Sequence, residues 1–269
     1  MDFPALIEEL NNALANGKTE RRAAILYRAT EIFTAGSGSY SDNQIELFDD
    51  VFNRIVTVIE VSAGTMLAKR LADIPRAPSK ISRRLASDDD IDVAGPMLER
   101  SKVLDNETLV AAAKTKSQQH LLAISRRDTL DETVTDVLVE RGDRPVVLNT
   151  AANPRARFSD RGYLTMVNRS ELDDELATSV GLRRDIPRQH LMRLLVKASH
   201  AVRVKLEAAN PRRTDMIEKA VVDAAVSILG STGATSREYV AGSCAYRRAA
   251  CRRLSWRERS LGLRKGQSI

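Results

Sequence analysis

The chain has 269 residues, of which 43% are hydrophobic, so it can fill the core of one large domain or two small ones. Its formal charge is +6, but residues 237–269 hold nine Lys or Arg against two Asp or Glu, and the remainder holds 33 basic against 34 acidic side chains. The body is therefore near neutral, which excludes a uniformly basic protein that binds polyanions over its whole surface.

Other classes of protein are excluded by what the body lacks. Cys244, Cys251 and the single tryptophan, Trp256, all lie in the basic tail, so the body has no thiol for redox chemistry, zinc binding or a disulfide. No segment approaches the roughly 18 apolar residues of a membrane span. The first ten residues lack the pattern of a secretory signal, and we expect a cytoplasmic protein.

The first part of the chain predicts long helices, because apolar residues recur at intervals of three and four. Helices are expected near residues 4–17, from Thr19 to about Phe33, and from Ser41 to about Arg70. Ser41 and Gln44 have the spacing of a capping box. Prolines within residues 73–78 then end the pattern. Residues 1–72 are predicted to form an amino-terminal helical bundle that packs on the rest.

From residue 79 the predicted helices become short and the sequence resembles itself. ISRR occurs at 81–84 and 124–127, VAGPMLERS from Val93 matches VTDVLVERG from Val134, and LDE from Leu130 matches LDD from Leu172. These spacings of 43, 41 and 42 residues indicate a period of about 42 residues, which is in the range of helical solenoids. About three short helices are expected in each unit.

The predicted fold is therefore all-α, a HEAT- or armadillo-like superhelix. Its short helices are expected near 90–100, 106–114, 118–126, 131–141, 144–152 and 160–168. A long helix from Pro187 to Asn210 and a last one from Thr214 to Gly230 are expected to cap the array, which spans 79–229. Residues 230–269 read as a basic, weakly structured tail.

The stretch SDDDIDVAGPMLERS, from Ser87 to Ser101, places acids at positions 1, 3, 5 and 12 of an EF-hand-like register. Val93 stands where the calcium loop needs glycine, and the matching segments keep only acid at a helix start. We therefore predict a helix cap, with Ser87 and Asp90 in capping-box spacing, and no metal site.

Several longer segments carry a resemblance to a known family. They include RRAAILYRATEIF, QIELFDDVFNRIV, LASDDDIDVAGPMLERSKVL, HLLAISRRDTLDETVTDVLVERGD and VVLNTAANPRARFSDRGY. From about Thr19 to Pro187 the chain resembles a bacterial family of unknown function built from HEAT-like helical repeats. The resemblance implies a curved all-helical array and supplies no activity, cofactor or catalytic residue. The tail departs from it, and a shifted reading frame is one hypothesis for residues 237–269.

No catalytic constellation is visible in the sequence. His120, His190 and His200 belong to no metal-ligand or catalytic motif, and the glycine-rich stretches lack the lysine of a phosphate loop. We expect ordinary histidines, no cofactor and no enzyme activity.

Two sets of residues are candidates for binding a partner. Paired arginines could form a basic stripe along one ridge of a solenoid, or simply complement the dipoles of helix ends; they are Arg83, Arg84, Arg126, Arg127, Arg183 and Arg184. The tail could bind nucleic acid or an anionic membrane, or have no binding role; its candidates are Arg247, Arg248, Arg252, Arg253 and Trp256.

The sequence thus favours an interaction scaffold that binds another protein and has no catalysis of its own. The alternative is a nucleic-acid-binding protein that uses the basic tail or a basic groove, as some HEAT-like DNA-repair glycosylases do. A near-neutral body with few aromatic side chains argues against that alternative.

Overall fold

A computed structural model describes residues 19–57 and 61–209 of the chain. Thirteen α-helices form this described part, and they are numbered here in chain order. The first seven are α1 (Thr19–Gly36), α2 (Asp42–Val56), α3 (Val61–Leu71), α4 (Ser79–Ala86), α5 (Ile91–Arg100), α6 (Asn106–Thr115) and α7 (Gln118–Ser125). The other six are α8 (Glu132–Arg141), α9 (Arg144–Ala152), α10 (Asp160–Arg169), α11 (Asp174–Gly181), α12 (Arg188–Lys197) and α13 (His200–Ala209).

The described residues contain no strand, and Leu130 and Ala156 form an isolated β-bridge between two loops. The predicted all-α array is confirmed. Helices expected before 19 and after 209, and the tail, lie outside the described residues. Contacts divide the chain into Met1–Ala209 and Asn210–Ile269.

The helices alternate between two layers. Each odd-numbered helix packs on the next odd one, from α1 to α13, and this set is called the odd layer. In the even layer α2 contacts α4, and α6, α8, α10 and α12 contact one another in order. Helix α3 packs on α5 as later odd helices pack on each other, so the stacking continues across the proline-containing break at 73–78.

The stacking unit is a pair of helices and not the expected three. From α5 onward the odd-layer helices begin at residues 91, 118, 144, 174 and 200, so each of these steps takes 26 to 30 residues. The 42-residue matches instead relate α5, α8 and α11, which fall alternately in the odd and even layers. The matched helices α5, α8 and α11 share an aspartate at the start and an apolar stripe, so the matches report local needs that helices of both layers have in common.

Aspartate and serine caps place the short helices close to their predicted bounds. Asp90, Asp105, Asp143, Ser159 and Asp173 each accept a backbone N–H of the helix that follows. The cap of α5 is Asp90 alone. Ser87 instead closes α4 and donates its hydroxyl to the carbonyl of Arg83, so the predicted capping box with Ser87 is wrong. The capping box of Ser41 and Gln44 is confirmed.

Two helices expected to be continuous are each divided. The stretch 41–70 contains α2 in the even layer and α3 in the odd layer. On one continuous helix, buried Gly64 would lie roughly 180° from buried Ile55, so a single helix could not bury both faces. The stretch 188–209 breaks at Ser199, whose hydroxyl accepts the N–H of Val202 and so caps α13.

Side chains at the carboxyl ends of helices bond to carbonyls of the preceding helix in the same layer. In the odd layer Arg127 donates to the carbonyls of Leu98 and Ser101, both at 2.7 Å. Asn153 donates to the carbonyl of Arg127, and Arg183 donates in turn to that of Asn153. These bonds satisfy carbonyls that a helix end leaves without a partner.

The even layer repeats the arrangement. Arg84, Arg141 and Arg169 donate to the carbonyls of Asn53, Ala113 and Val139, respectively. We call the six donors of both layers the carboxyl-end ladder: Arg84, Arg127, Arg141, Asn153, Arg169 and Arg183.

Asp49 links two even-layer helices at an amino end. It is buried on α2, and its carboxylate accepts the backbone N–H of Lys80 at 2.8 Å and of Ile81 at 2.7 Å, in the first turn of α4. A carboxylate at this end also complements the helix dipole.

We expect Asp49→Ala to lower the free energy of unfolding by about 2 kcal/mol, because the first turn of α4 loses its acceptor in a buried setting. Urea denaturation measures the loss. Asp50→Ala is the matched control, since that neighbouring carboxylate is exposed and approaches Lys80 only at 3.5 Å. Equal losses for both variants would contradict the capping role of Asp49.

A candidate protein-binding furrow

Loop lengths make the two edges of the array different. Between α5 and α12, each loop from an odd helix to the next even helix has five to seven residues. The loops that join α6 to α7, α8 to α9 and α12 to α13 have two residues each. The long loops follow the carboxyl ends of the odd helices. Three open depressions lie along this edge and the adjoining outer face of the odd layer.

The first depression lies against α3, α5 and α7 and has a volume of about 730 Å³. Its charges balance, because Lys69, Arg100 and Arg126 face Asp73, Asp92 and Glu99. Two of these cations are paired: Arg100 approaches Asp73 at 3.3 Å, and Arg126 approaches Glu99 at 3.9 Å.

The other two depressions follow the loops after α7, α9 and α11. One of about 350 Å³ lies between residues 125–128 and 149–155, and one of about 580 Å³ lies between 151–157 and 179–185. They share Ala152, Pro154 and Arg155. Arg126 lines both the first and the second depression. We call the three together the furrow.

The floor of the third depression is fixed by Arg183, whose side chain is 4% exposed. Its Nε donates to the Tyr163 hydroxyl, Nη1 to the carbonyls of Ala151 and Asn153, and Nη2 to the Ala156 carbonyl and Asp185. All five N–H groups of a guanidinium are thus used. The guanidinium carbon also lies 4.6 Å from the centre of the Phe158 ring. Burial raises the pKa of the Tyr163 hydroxyl to about 12, so it stays protonated.

The six predicted arginines therefore have different roles. Arg127 and Arg183 are ladder residues with occupied, largely buried guanidinium groups, and burial lowers the pKa of Arg127. They are removed from the candidate surface. Arg83 and Arg84 lie in the even layer, where Arg83 pairs with Asp105 at 2.9 Å. One basic stripe through all three pairs is not formed, because the pairs fall in both layers.

Arg126 and Arg184 remain exposed in the furrow. Sequence reasoning missed Arg155, Arg157 and Leu182, which also line it. The sequence does mark Arg155 and Arg157, because they lie in the segment NPRAR, where the helical periodicity is interrupted and two exposed cations occur. The tail candidates Arg247, Arg248, Arg252, Arg253 and Trp256 lie outside the described residues.

Two of the three histidines have structural roles. His120 is buried, with Nδ1 at 2.8 Å from the Ser117 hydroxyl and Nε2 at 3.1 Å from the carbonyl of Asp88. His190 is buried against the Tyr163 ring, and its Nε2 lies 2.6 Å from Asp160. His200 is exposed on α13. Within 19–57 and 61–209 no three His, Cys, Asp or Glu side chains converge as a metal site would require.

The acidic stretch from Ser87 is used by the fold. Asp90 caps α5, Asp88 accepts the N–H of Asp90, and Asp89 pairs with Lys116 at 2.6 Å. The bond from Lys116 lowers the pKa of Asp89. Across the described ranges, no helix is both long enough and apolar enough to cross a bilayer.

A family model described as "Uncharacterised protein conserved in bacteria (DUF2336)" matches residues 93–257. Neither the curated proteins nor the solved structures include a significant match. The matched range begins later than the predicted resemblance and continues through the basic tail to residue 257. The prediction that the tail departs from the family is wrong up to that residue, and the shifted-frame hypothesis loses its support there.

We expect Arg183→Met to lower the free energy of unfolding by about 3 kcal/mol, because buried carbonyls and Asp185 lose their donor. Arg184→Met is the matched control and should change stability by less than about 0.5 kcal/mol, since Arg184 is exposed. Chemical denaturation of the full chain measures both. A loss for Arg184→Met as large as that for Arg183→Met would contradict this assignment.

Stability should also depend on Asp160 in a pH-dependent way. The hydrogen bond to His190 lowers the pKa of Asp160 in the folded chain, so its contribution is present above its unfolded pKa of about 3.9 and is lost as pH falls through the folded value. Asp160→Asn should therefore destabilise the chain at pH 6, and its effect should shrink as the pH falls below about 3.9 and through the lower folded pKa. Denaturation across this range, with Glu140→Gln as the exposed control, tests it; a deficit independent of pH would contradict it.

Proposed function

The chain belongs to the DUF2336 family of bacterial proteins, and we propose that it is an interaction scaffold whose furrow binds another protein. In this proposal the chain has no catalysis of its own. Binding follows from the complementary shape and charge of a surface built from several stacked helices.

The observation that carries the proposal is the furrow itself. It extends over elements from α3 to α11, and its lining alternates apolar and charged side chains. Interfaces between proteins have this composition, with apolar contacts inside a polar rim and with arginine enriched. A small-molecule pocket would instead enclose most of its ligand.

The carboxyl-end ladder supports the proposal because it fixes the furrow before a partner arrives. The backbone that forms the walls is held by Arg127, Asn153 and Arg183. A surface that is already ordered loses less conformational entropy on binding than a flexible one does.

A steric block tests the proposal without changing charge. Ala152 is exposed and lines two depressions, so Ala152→Trp should obstruct the furrow. Ala111→Trp, at an exposed position on even-layer α6, is the matched control. Full-length tagged variants are expressed in the bacterial host of the gene and cross-linked after nuclease treatment, and partners are quantified by mass spectrometry.

We expect a partner protein that Ala111→Trp retains and that Ala152→Trp recovers about tenfold less, since a blocked interface loses a contact worth roughly 1.4 kcal/mol. Circular dichroism confirms that both variants fold. Partners recovered equally by both variants, or recovery that disappears with the nucleic acid, would contradict a scaffold that binds through the furrow.

A further inference from the structure

We propose that the third depression, between α9 and α11, takes an acidic segment of the partner in which carboxylates flank an apolar side chain. This inference rests on the proposed scaffold function and adds the chemistry of what is bound. Three exposed arginines, Arg155, Arg157 and Arg184, line this one cavity together with Leu182.

Among the described residues, acidic side chains form only long ion pairs with one of these arginines and none with another. Arg184 has neither an ion pair nor a hydrogen bond within the described residues. Arg157 approaches Asp131 at 3.9 Å and Glu132 at 3.8 Å, with its own side chain 72% exposed. Such long exposed pairs stabilise a fold very little. Both guanidinium groups can therefore turn to an incoming carboxylate at small cost.

Arg155 is held more closely, at 2.5 Å from Asp128, but both members of the pair are largely exposed. Among the described residues, the only acid in the lining of this depression is Asp185. Its carboxylate already accepts from buried Arg183, whose remaining N–H groups are occupied by the fold. The wall is thus fixed, and among the described residues that line the cavity the positive charges outnumber the negative ones.

Carboxylate is the group that this cationic rim fits. A planar guanidinium can donate two parallel N–H bonds to a carboxylate, and such charge-assisted bonds are the stronger ones. Three guanidinium groups around one cavity require more than one negative charge in the bound segment, which favours a run of Asp and Glu over a single acid.

The same cavity also needs an apolar group. Leu182 is 43% exposed at the end of α11, and Ala152 and Pro154 are exposed beside it. An apolar side chain of the partner that covers these three would remove their surface from water. A peptide with alternating acidic and apolar residues satisfies both requirements, whereas a simple polyanion satisfies only the first.

A polynucleotide fits this depression less well. Binding of single strands depends on aromatic side chains that stack on bases. No aromatic side chain is found among the described residues that line the second and third depressions. Asp128 and Asp185 also lie in these linings and would repel phosphates.

The two ends of the furrow differ in the charge of their lining residues. Acids and cations are equal in number around the first depression, whereas four arginines and one aspartate line the third. An acidic segment should therefore bind at the α9–α11 end of the furrow. The α3–α7 end, where acidic and basic side chains are equal in number, should contact uncharged parts of the same partner.

Selection from a random dodecapeptide library tests this inference without a known partner. The library is panned on the full chain after clearance on the triple variant Arg155→Glu/Arg157→Glu/Arg184→Glu. We expect enriched peptides with net negative charge and apolar residues between the acids. Synthetic copies should bind the wild-type chain, lose about tenfold in affinity with Arg184→Ala, and keep it with the even-layer control Arg161→Ala.

Two further probes make the outcome decisive. Copies with Gln and Asn in place of the acids should bind at least tenfold more weakly, and a dT12 oligonucleotide should bind more weakly than the acidic peptide. If the enriched peptides are neutral or basic but still compete with the cross-linked partner, the proposal of an acidic segment is wrong, whereas the proposed scaffold function is retained. Tighter binding of the oligonucleotide, or enriched peptides that also bind the triple variant, would overturn the proposal of an acidic segment as well.

Discussion

Hydrogen bonds from the carboxyl end of one helix to the carboxyl end of the helix before it in the same layer hold this array in register. A helix end leaves carbonyls without partners, and here an arginine or asparagine of the next stacked helix supplies the donors. Because Arg127, Asn153 and Arg183 each act on the element before them, the bonds form a continuous series from α5 to α11. The apolar core supplies most of the stability, but it is not directional. The ladder is directional, and it sets how each helix is placed on its neighbour.

This constraint also decides which arginines stay exposed at the surface. Within each pair of the odd layer one side chain enters the ladder and the other is left at the surface: Arg127 is engaged and Arg126 exposed, Arg183 is engaged and Arg184 exposed. The surface of the furrow is thus made by the same local sequence that holds the helices together. The exposed member lies beside a rigid wall because its neighbour in sequence is part of that wall. The same arginine pairs therefore determine both the shape of the furrow and the position of its exposed charges.

The local elements could be predicted from the sequence, whereas their stacking could not. Caps such as Asp105 and Asp143 are visible as single residues, and the predicted bounds of the short helices lie within one or two residues of the observed ones. The break between α2 and α3 has no marker such as proline. It is visible only as a change in which face of the helix is buried, when the positions of Ile55 and Gly64 are compared. The 42-residue period relates helices of different layers, since α5, α8 and α11 each begin directly after an aspartate. Which arginine of a pair is buried depends on carbonyls about 30 residues earlier, and Arg155 and Arg157 lie in a loop without periodicity.

The unequal connections at the two edges have a consequence for how such a protein can change. A two-residue turn, as between α8 and α9, leaves almost no freedom for insertion, because any added residue would shift two stacked helices relative to each other. The long loops at the opposite edge carry several cations of the furrow, among them Arg126, Arg155 and Arg184, and can lengthen at little entropic cost. Sequence change can therefore accumulate at one edge while the other preserves the architecture, so that the surface of the furrow can vary on a constant frame.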